Sequence, residues 1–117
     1  MDARVQRTME RMEEELQRPV GMREFAAAVG LSVTQLTRLF RIHTGTTPAA
    51  FLKRLRIARA RVLVERTSLS IAEIMARVGI SDRSHFARAF RNAYGLSPRT
   101  LRVQLRMTGR ALDARGR

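Results

Sequence analysis

The groups in this sequence with chemistry to offer are arginines set in front of apolar pairs. In the stretch Gly79 to Pro98, G-I-S-D-R-S-H-F-A-R-A-F-R-N-A-Y-G-L-S-P, Phe86 and Phe90 are four apart and share one face of a helix. Arg83, Arg88 and Arg91 fall mostly off that face. A guanidinium is a fixed fork of donors that matches phosphate oxygens and the acceptor edge of guanine. A short helix with an apolar back and an arginine front therefore suits the major groove of a duplex. The same stretch writes its own limits. Ser81 follows the Gly79-Ile80 turn and is placed to N-cap the helix, with Asp82 in the first turn. Gly95 stands where a C′ glycine would, and Ser97-Pro98 reads as N-cap and N1 of the next helix.

Other chemistries lack their residues. There is no Cys among the 117 residues, so thiolate catalysis and Cys-ligated zinc are excluded. The two histidines, His43 and His85, are far apart and without clustered carboxylates, so no metal, cofactor or catalytic site is expected, and no enzyme. No apolar run approaches the ~20 residues of a membrane span, and the charged first twenty residues do not form a signal peptide. The expected location is the cytoplasm.

The formal charge is +13. Residues 1–24 hold five Arg and six acids, whereas residues 25–117 hold eighteen basic and four acidic residues. The excess thus belongs to the body of the chain and not to a basic arm, and a surface this positive calls for a polyanion. Lys53 is the only lysine. The preference for Arg over Lys could come from genome base bias and carries no functional weight.

The elements that would hold these arginines are all helices. Residues 2–18 carry Val5, Met9, Met12 and Leu16 at helical spacing, with mixed charges outside. Residues 22–30 form a short helix with Phe25, Ala26 and Val29 inward, stopped by Gly30. Ser32 and Gln35 make a capping box for a helix over 33–43, with Leu36, Leu39 and Phe40 inward and Thr34, Thr37, Arg38 and Arg41 outward, ended by Gly45. Thr47-Pro48 opens a long helix to about Glu65. Phe51, Leu52, Leu55, Ala58, Val62 and Leu63 crowd one side of it, and Ile57, Ala60 and Val64 another, as in a helix sandwiched between two bodies. Ser70 and Glu73 cap a short helix with Ile71, Ile74, Met75 and Val78 inside. After Pro98 a last helix carries Leu101 and Leu105 with Arg99, Arg102 and Arg106, and residues 108–117 read as a disordered tail.

The two halves repeat. Residues 22–32 match 71–81 at an offset of 49, and after one inserted residue 36–48 match 86–98 at an offset of 50. Each half is a short helix, a glycine turn and a second helix, which is the helix-turn-helix pattern. Major-groove faces recur every ~34 Å along one side of B-DNA, and eighteen helical residues rise roughly 27 Å. Two hairpins at the ends of the long helix could place their second helices in successive grooves. The two readers differ in sequence, so the expected site is asymmetric.

At this point the chain resembles the DNA-binding domain of the AraC/XylS family of bacterial transcription regulators. The resemblance is most specific over residues 70–102, S-I-A-E-I-M-A-R-V-G-I-S-D-R-S-H-F-A-R-A-F-R-N-A-Y-G-L-S-P-R-T-L-R. It extends over L-T-R-L-F-R and G-T-T-P in the first half and R-I-A-R-A-R-V-L in the long helix. It implies an all-α fold of seven helices, with helix-turn-helix subdomains at 1–46 and 67–107 joined by a linker helix at 47–66. Ile80 departs from the family's usual Phe at a core position. Carried over by position, Thr34, Thr37 and Arg38 of the first reading helix, and Arg83, Ser84, Ala87 and Arg88 of the second, would meet bases or nearby phosphates. Gln35 belongs to the same candidate set, and Arg41, Arg91 and the helix starts at Thr47 and Ser97 are phosphate candidates. His85 is expected to pack or contact backbone.

The implied function is sequence-specific binding of double-stranded DNA in transcription regulation. The alternatives are a non-specific architectural nucleic-acid binder, or a module whose main partner is RNA polymerase. Many members of the family join this domain to a sensor or dimerisation domain. The expectation is a segment of such a longer chain, because Met9 to Leu16 resembles the domain's first helix with little before it. A small stand-alone regulator is the other reading.

Overall fold

A computed structural model describes residues 1–109. Among them there are seven helices and no strand: α1 (Ala3–Glu15), α2 (Met22–Ala28), α3 (Val33–Thr44), α4 (Pro48–Arg66), α5 (Ile71–Val78), α6 (Arg83–Tyr94) and α7 (Pro98–Met107). The expectation for the tail falls mostly outside the described residues. The chain divides into two compact units, Met1–Leu55 and Arg56–Arg117, and the division falls inside α4.

The first unit holds α1 to α3 and the start of α4. Val5, Met12, Phe25, Leu36 and Phe40 are removed from water, and α3 packs on α1 and α2. Each such large side chain contributes roughly 1.5–3 kcal/mol on burial. The α1 stripe differs from expectation at one place. Thr8 is buried where Met9 was expected, because its hydroxyl donates to the Arg4 carbonyl at 2.8 Å and so loses its need for water. Phe40 meets Phe51 edge-on with ring centroids 5.6 Å apart. Arg11 lies over the Phe25 ring at 5.7 Å while bonding Glu15 at 3.0 Å.

In the second unit Ile57, Ala60, Val64, Ile74, Val78, Phe86 and Phe90 form the core. The row Phe86, Phe90, Tyr94 stacks edge-to-face at 6.0 and 5.0 Å, and Arg61 covers the Tyr94 ring at 4.5 Å. Of the long helix's two apolar sides, only part is buried. Leu52, Ile57, Ala60 and Val64 are covered, but Ala58 and Val62 face solvent. A wheel gives direction only, and nothing is packed on that arc at that turn. Ile80, expected in the core, is half-buried.

Arg102 is the buried cation. It was grouped with Arg99 and Arg106 by sequence, yet it is only 8% exposed. Its guanidinium donates to the carbonyls of Leu63 (3.4 Å), Val64 (3.3 Å) and Thr67 (3.0 Å), and also to that of Leu69. These are carbonyls at the end of α4 and just beyond, at the negative end of the dipole, and of them Leu63 O also accepts from Thr67 N–H at 3.1 Å. Burial, and to a lesser degree Arg106, pushes its pKa below the ordinary arginine value.

The repeat is present as geometry. Leu31 N–H donates to Ala26 O at 2.9 Å, and Ile80 N–H to Met75 O at 3.0 Å, with Gly30 and Gly79 between at φ of 74° and 76°. Both are the 6→1 closure of a left-handed C-terminal turn. The inserted residue lies before the second reader's cap. Asp82, not Ser81, is the N-cap of α6, accepting from His85 N–H at 2.9 Å. The caps Ser32 and Asp82 are thus 50 apart, in step with the helices they open. Both capping boxes form as expected, Ser32 with Gln35 and Ser70 with Glu73.

Two outcomes follow. Arg102→Met should strand several carbonyls and lower the unfolding free energy by about 3 kcal/mol in urea melts; a loss within error would show that water replaces the guanidinium. Gly79→Val should lower the melting temperature, since a β-branched residue resists φ near +76°; an unchanged melt would refute it.

Candidate nucleic-acid interface

Both reading helices are twelve residues long and end on a left-handed glycine, Gly45 at φ 78° and Gly95 at φ 84°. The next helix of each unit then opens on a hydroxyl cap before proline. Thr47 Oγ1 accepts from Ala50 N–H, and Ser97 Oγ accepts from Thr100 N–H, each at 3.1 Å. Helix length, cap and stop fix which residues face out. Leu36 and Phe40 are buried in α3, and Phe86, Ala89 and Phe90 in α6.

On the opposite face the structure brings together what the sequence proposed. In α3, Thr34, Arg38 and Arg41 are exposed and Thr37 is half-buried. In α6, Arg83, Ser84, Arg88 and Arg91 are exposed and Ala87 is half-buried. Thr34, Thr37, Arg38 and Arg41 line one open depression. Gln35 is exposed but engaged, its Oε1 accepting from Ser32 N–H at 2.9 Å. His85 does not pack. It is exposed on the first turn of α6, where its backbone N–H donates to the Asp82 carboxylate at 2.9 Å.

Two residues of this surface were missed. Val33 and Ile42, 39% and 67% exposed, line the same depression. Their positions in the second copy hold Arg83 and Asn92, and that polar-for-apolar exchange at an offset of 50 was the available signal.

The charges are sorted by region. Ion pairs among the described residues gather at Asp2–Arg4 and around Glu15 and Glu24, with one more at Arg61–Glu65. None involves Arg38, Arg41, Arg83, Arg88 or Arg91. The acids that do form ion pairs, Asp2, Glu15, Glu24 and Glu65, are taken by arginines outside the readers. At the second reader the Asp82 carboxyl is held below its ordinary value of 3.8, chiefly by the His85 N–H and with help from Arg88.

Comparison with known proteins places this arrangement. A helix-turn-helix domain family model matches residues 25–104. The crystal structure of an AraC-type DNA-binding regulator from Chromobacterium violaceum is 36% identical, with a TM-score of 0.78 over 86% of this chain and 90% of that one. The chain belongs to the AraC-type helix-turn-helix family. The transcriptional activator RhaS of Enterobacter sp. (strain 638) is 37% identical over 101 residues, 86% of this chain and 36% of RhaS. The chain therefore spans about a third of the length of such relatives. The DNA-binding domain of AdpA, solved with a target DNA, matches at a TM-score of 0.85 and 25% identity, over 92% of this chain and 96% of that one. The relatives are named as transcriptional regulators and not as enzymes. Among the described residues no helix is long and apolar enough to cross a membrane, and no group of His, Asp and Glu could hold a metal ion.

The cap charge gives a pH test. A depressed carboxyl contributes stability that is full above its ordinary value and lost as pH falls through the depressed one. Asp82→Ala should lower the melting temperature by a few degrees at pH 7, whereas Asp82→Asn should keep the cap and flatten part of the loss on acidification. Identical pH profiles for Asp82→Asn and the parent would contradict this.

Proposed function

We propose that this chain binds a specific, asymmetric site in double-stranded DNA and thereby regulates transcription, with α3 and α6 each entering a major groove. The observation that carries the reading is the pair of like-capped, twelve-residue helices, each buried on its phenylalanine side and unpaired in charge on its arginine side. Arg38 and Arg88, equivalent in the repeat, are assigned to guanine O6 and N7. Thr34, Thr37 and Ala87 offer methyl groups to thymine, and Arg83 and Ser84 flank the second contact. Arg41 and Arg91 are assigned to phosphates, which position the helices without reading sequence. α4, with 19 residues, rises roughly 28 Å, a length that supports placement of the two readers in successive grooves.

The relatives' names support the regulatory role: RhaS is called an activator, and AdpA was solved with a target DNA. RNA polymerase as a further partner, a sensor or dimerisation domain in the same polypeptide, and a cytoplasmic location complete the proposal.

Competition binding at about 0.15 M salt tests it. A selected duplex should be bound far more tightly than a random one, and equal affinity for both would leave only the non-specific architectural binder. Arg38→Ala and Arg88→Ala should each cost about 1–3 kcal/mol on the selected site and much less on random DNA. Equal losses on both would make them phosphate contacts.

A further inference from the structure

The two readers share a frame but not a chemistry. With α3 and α6 aligned at an offset of 50, the residues at the start of each helix face the same way. In α3 these are Val33, Thr34 and Thr37, and in α6 they are Arg83, Ser84 and Ala87. In helix-turn-helix proteins it is the N-terminal part of the second helix that reaches base edges. Every one of the three α3 side chains is β-branched and carries a γ-methyl, whereas none of the α6 three does.

Val33 has no role in the core that accounts for it. It is the first residue of α3, it is 39% exposed, and it lines the same open depression as Thr34 and Thr37. A β-branched side chain is stiff about χ1, so its methyls are held in place before binding and lose little freedom on contact. The one apolar feature on the major-groove edge of a base pair is the C5-methyl of thymine. A cluster of fixed methyls on the groove-facing turn is the surface that such a group would bury against.

We infer that Val33, with Thr34 and Thr37, makes α3 chiefly a reader of thymine methyls, whereas α6, with Ala87 as its one methyl there, reads chiefly through polar groups. This rests on the assignment of α3 as a DNA reader. Val33 is then a specificity-determining residue of the first half-site, and Arg83 stands at its position in the second.

The test replaces thymine by deoxyuridine, which removes the methyl and leaves base pairing intact. A site is selected from random duplex with the whole chain, and the half-site belonging to α3 is the one whose preference Arg38→Ala relaxes. Each thymine there is then changed singly. Loss of one buried methyl contact should weaken binding about fourfold, while uracil in the other half-site should have a smaller effect. Val33→Ser, an exposed change checked by its melt, should abolish the uracil penalty at one thymine and leave the others. The inference is overturned if the α3 half-site contains no thymine or tolerates uracil throughout, or if every uracil penalty survives in Val33→Ser. Failure of the selection to yield any site would instead remove the DNA-reading assignment itself, and this inference with it.

Discussion

Phe40 and Phe90 are shut off from water, and each follows an arginine by two residues. A helix turns 100° per residue, so a residue two positions before a buried one points well away from the core. Burial of these rings therefore decides that Arg38 and Arg88 face outward. Leu36 and Phe86, one turn earlier, hold the same faces inward and remove the freedom to roll. The outward direction of the guanidiniums is thus set by the hydrophobic effect and not by anything the arginines do themselves.

A second constraint acts on the ends of elements. Arg102 places a charge among the carbonyls at the close of α4, where the helix dipole is negative and the supply of helical N–H groups runs out. It joins α7 to that end while both Thr67 and Leu69 are drawn in, Thr67 Oγ1 donating to Leu63 O at 2.6 Å. One arginine is spent on structure so that the connection to α5 has a fixed exit. The left-handed closures at Gly30 and Gly79 then set the course of the chain from the short helix into the reader. Each reader is therefore fixed at its back by phenylalanine and at its entry by a turn.

Electrostatics follows from where the acids pair. Asp2, Glu15 and Glu24 are occupied by Arg4, Arg11 and Arg18, in the part of the chain that is nearly neutral overall. The reading faces are left with unopposed positive charge, and the potential they present is local to them. Asp82 is the one acid at a reading helix, and its charge serves the cap while lying near Arg88. The first reader has the neutral cap Ser32 instead, so the copies differ in charge at the point where they are otherwise most alike.

The sequence by itself determined the seven helices, the two capping boxes, the proline starts, the glycine stops and the repeat. The caps, starts and stops are written within four or five residues by hydrogen bonds that close locally, and the repeat is the recurrence of those same local signals along the chain. It also placed Thr34, Thr37, Arg38, Arg83, Ser84, Arg88 and their neighbours on outward faces, because helical period alone separates them from Phe40 and Phe90. Tertiary structure decided what depends on a distant partner. Only packing put Arg102 against α4 and left Val62 and Ala58 in water. Thr8 became a core residue because the fold covers its face of α1, its hydroxyl being satisfied locally by the Arg4 carbonyl, and His85 remained outside. The choice of Asp82 over Ser81 belongs here as well, since the length of the turn set which of two good caps met the first free N–H. For Val33 the sequence offered only the exchange with Arg83 at the repeat position, and its exposure was decided by surroundings that the fold makes.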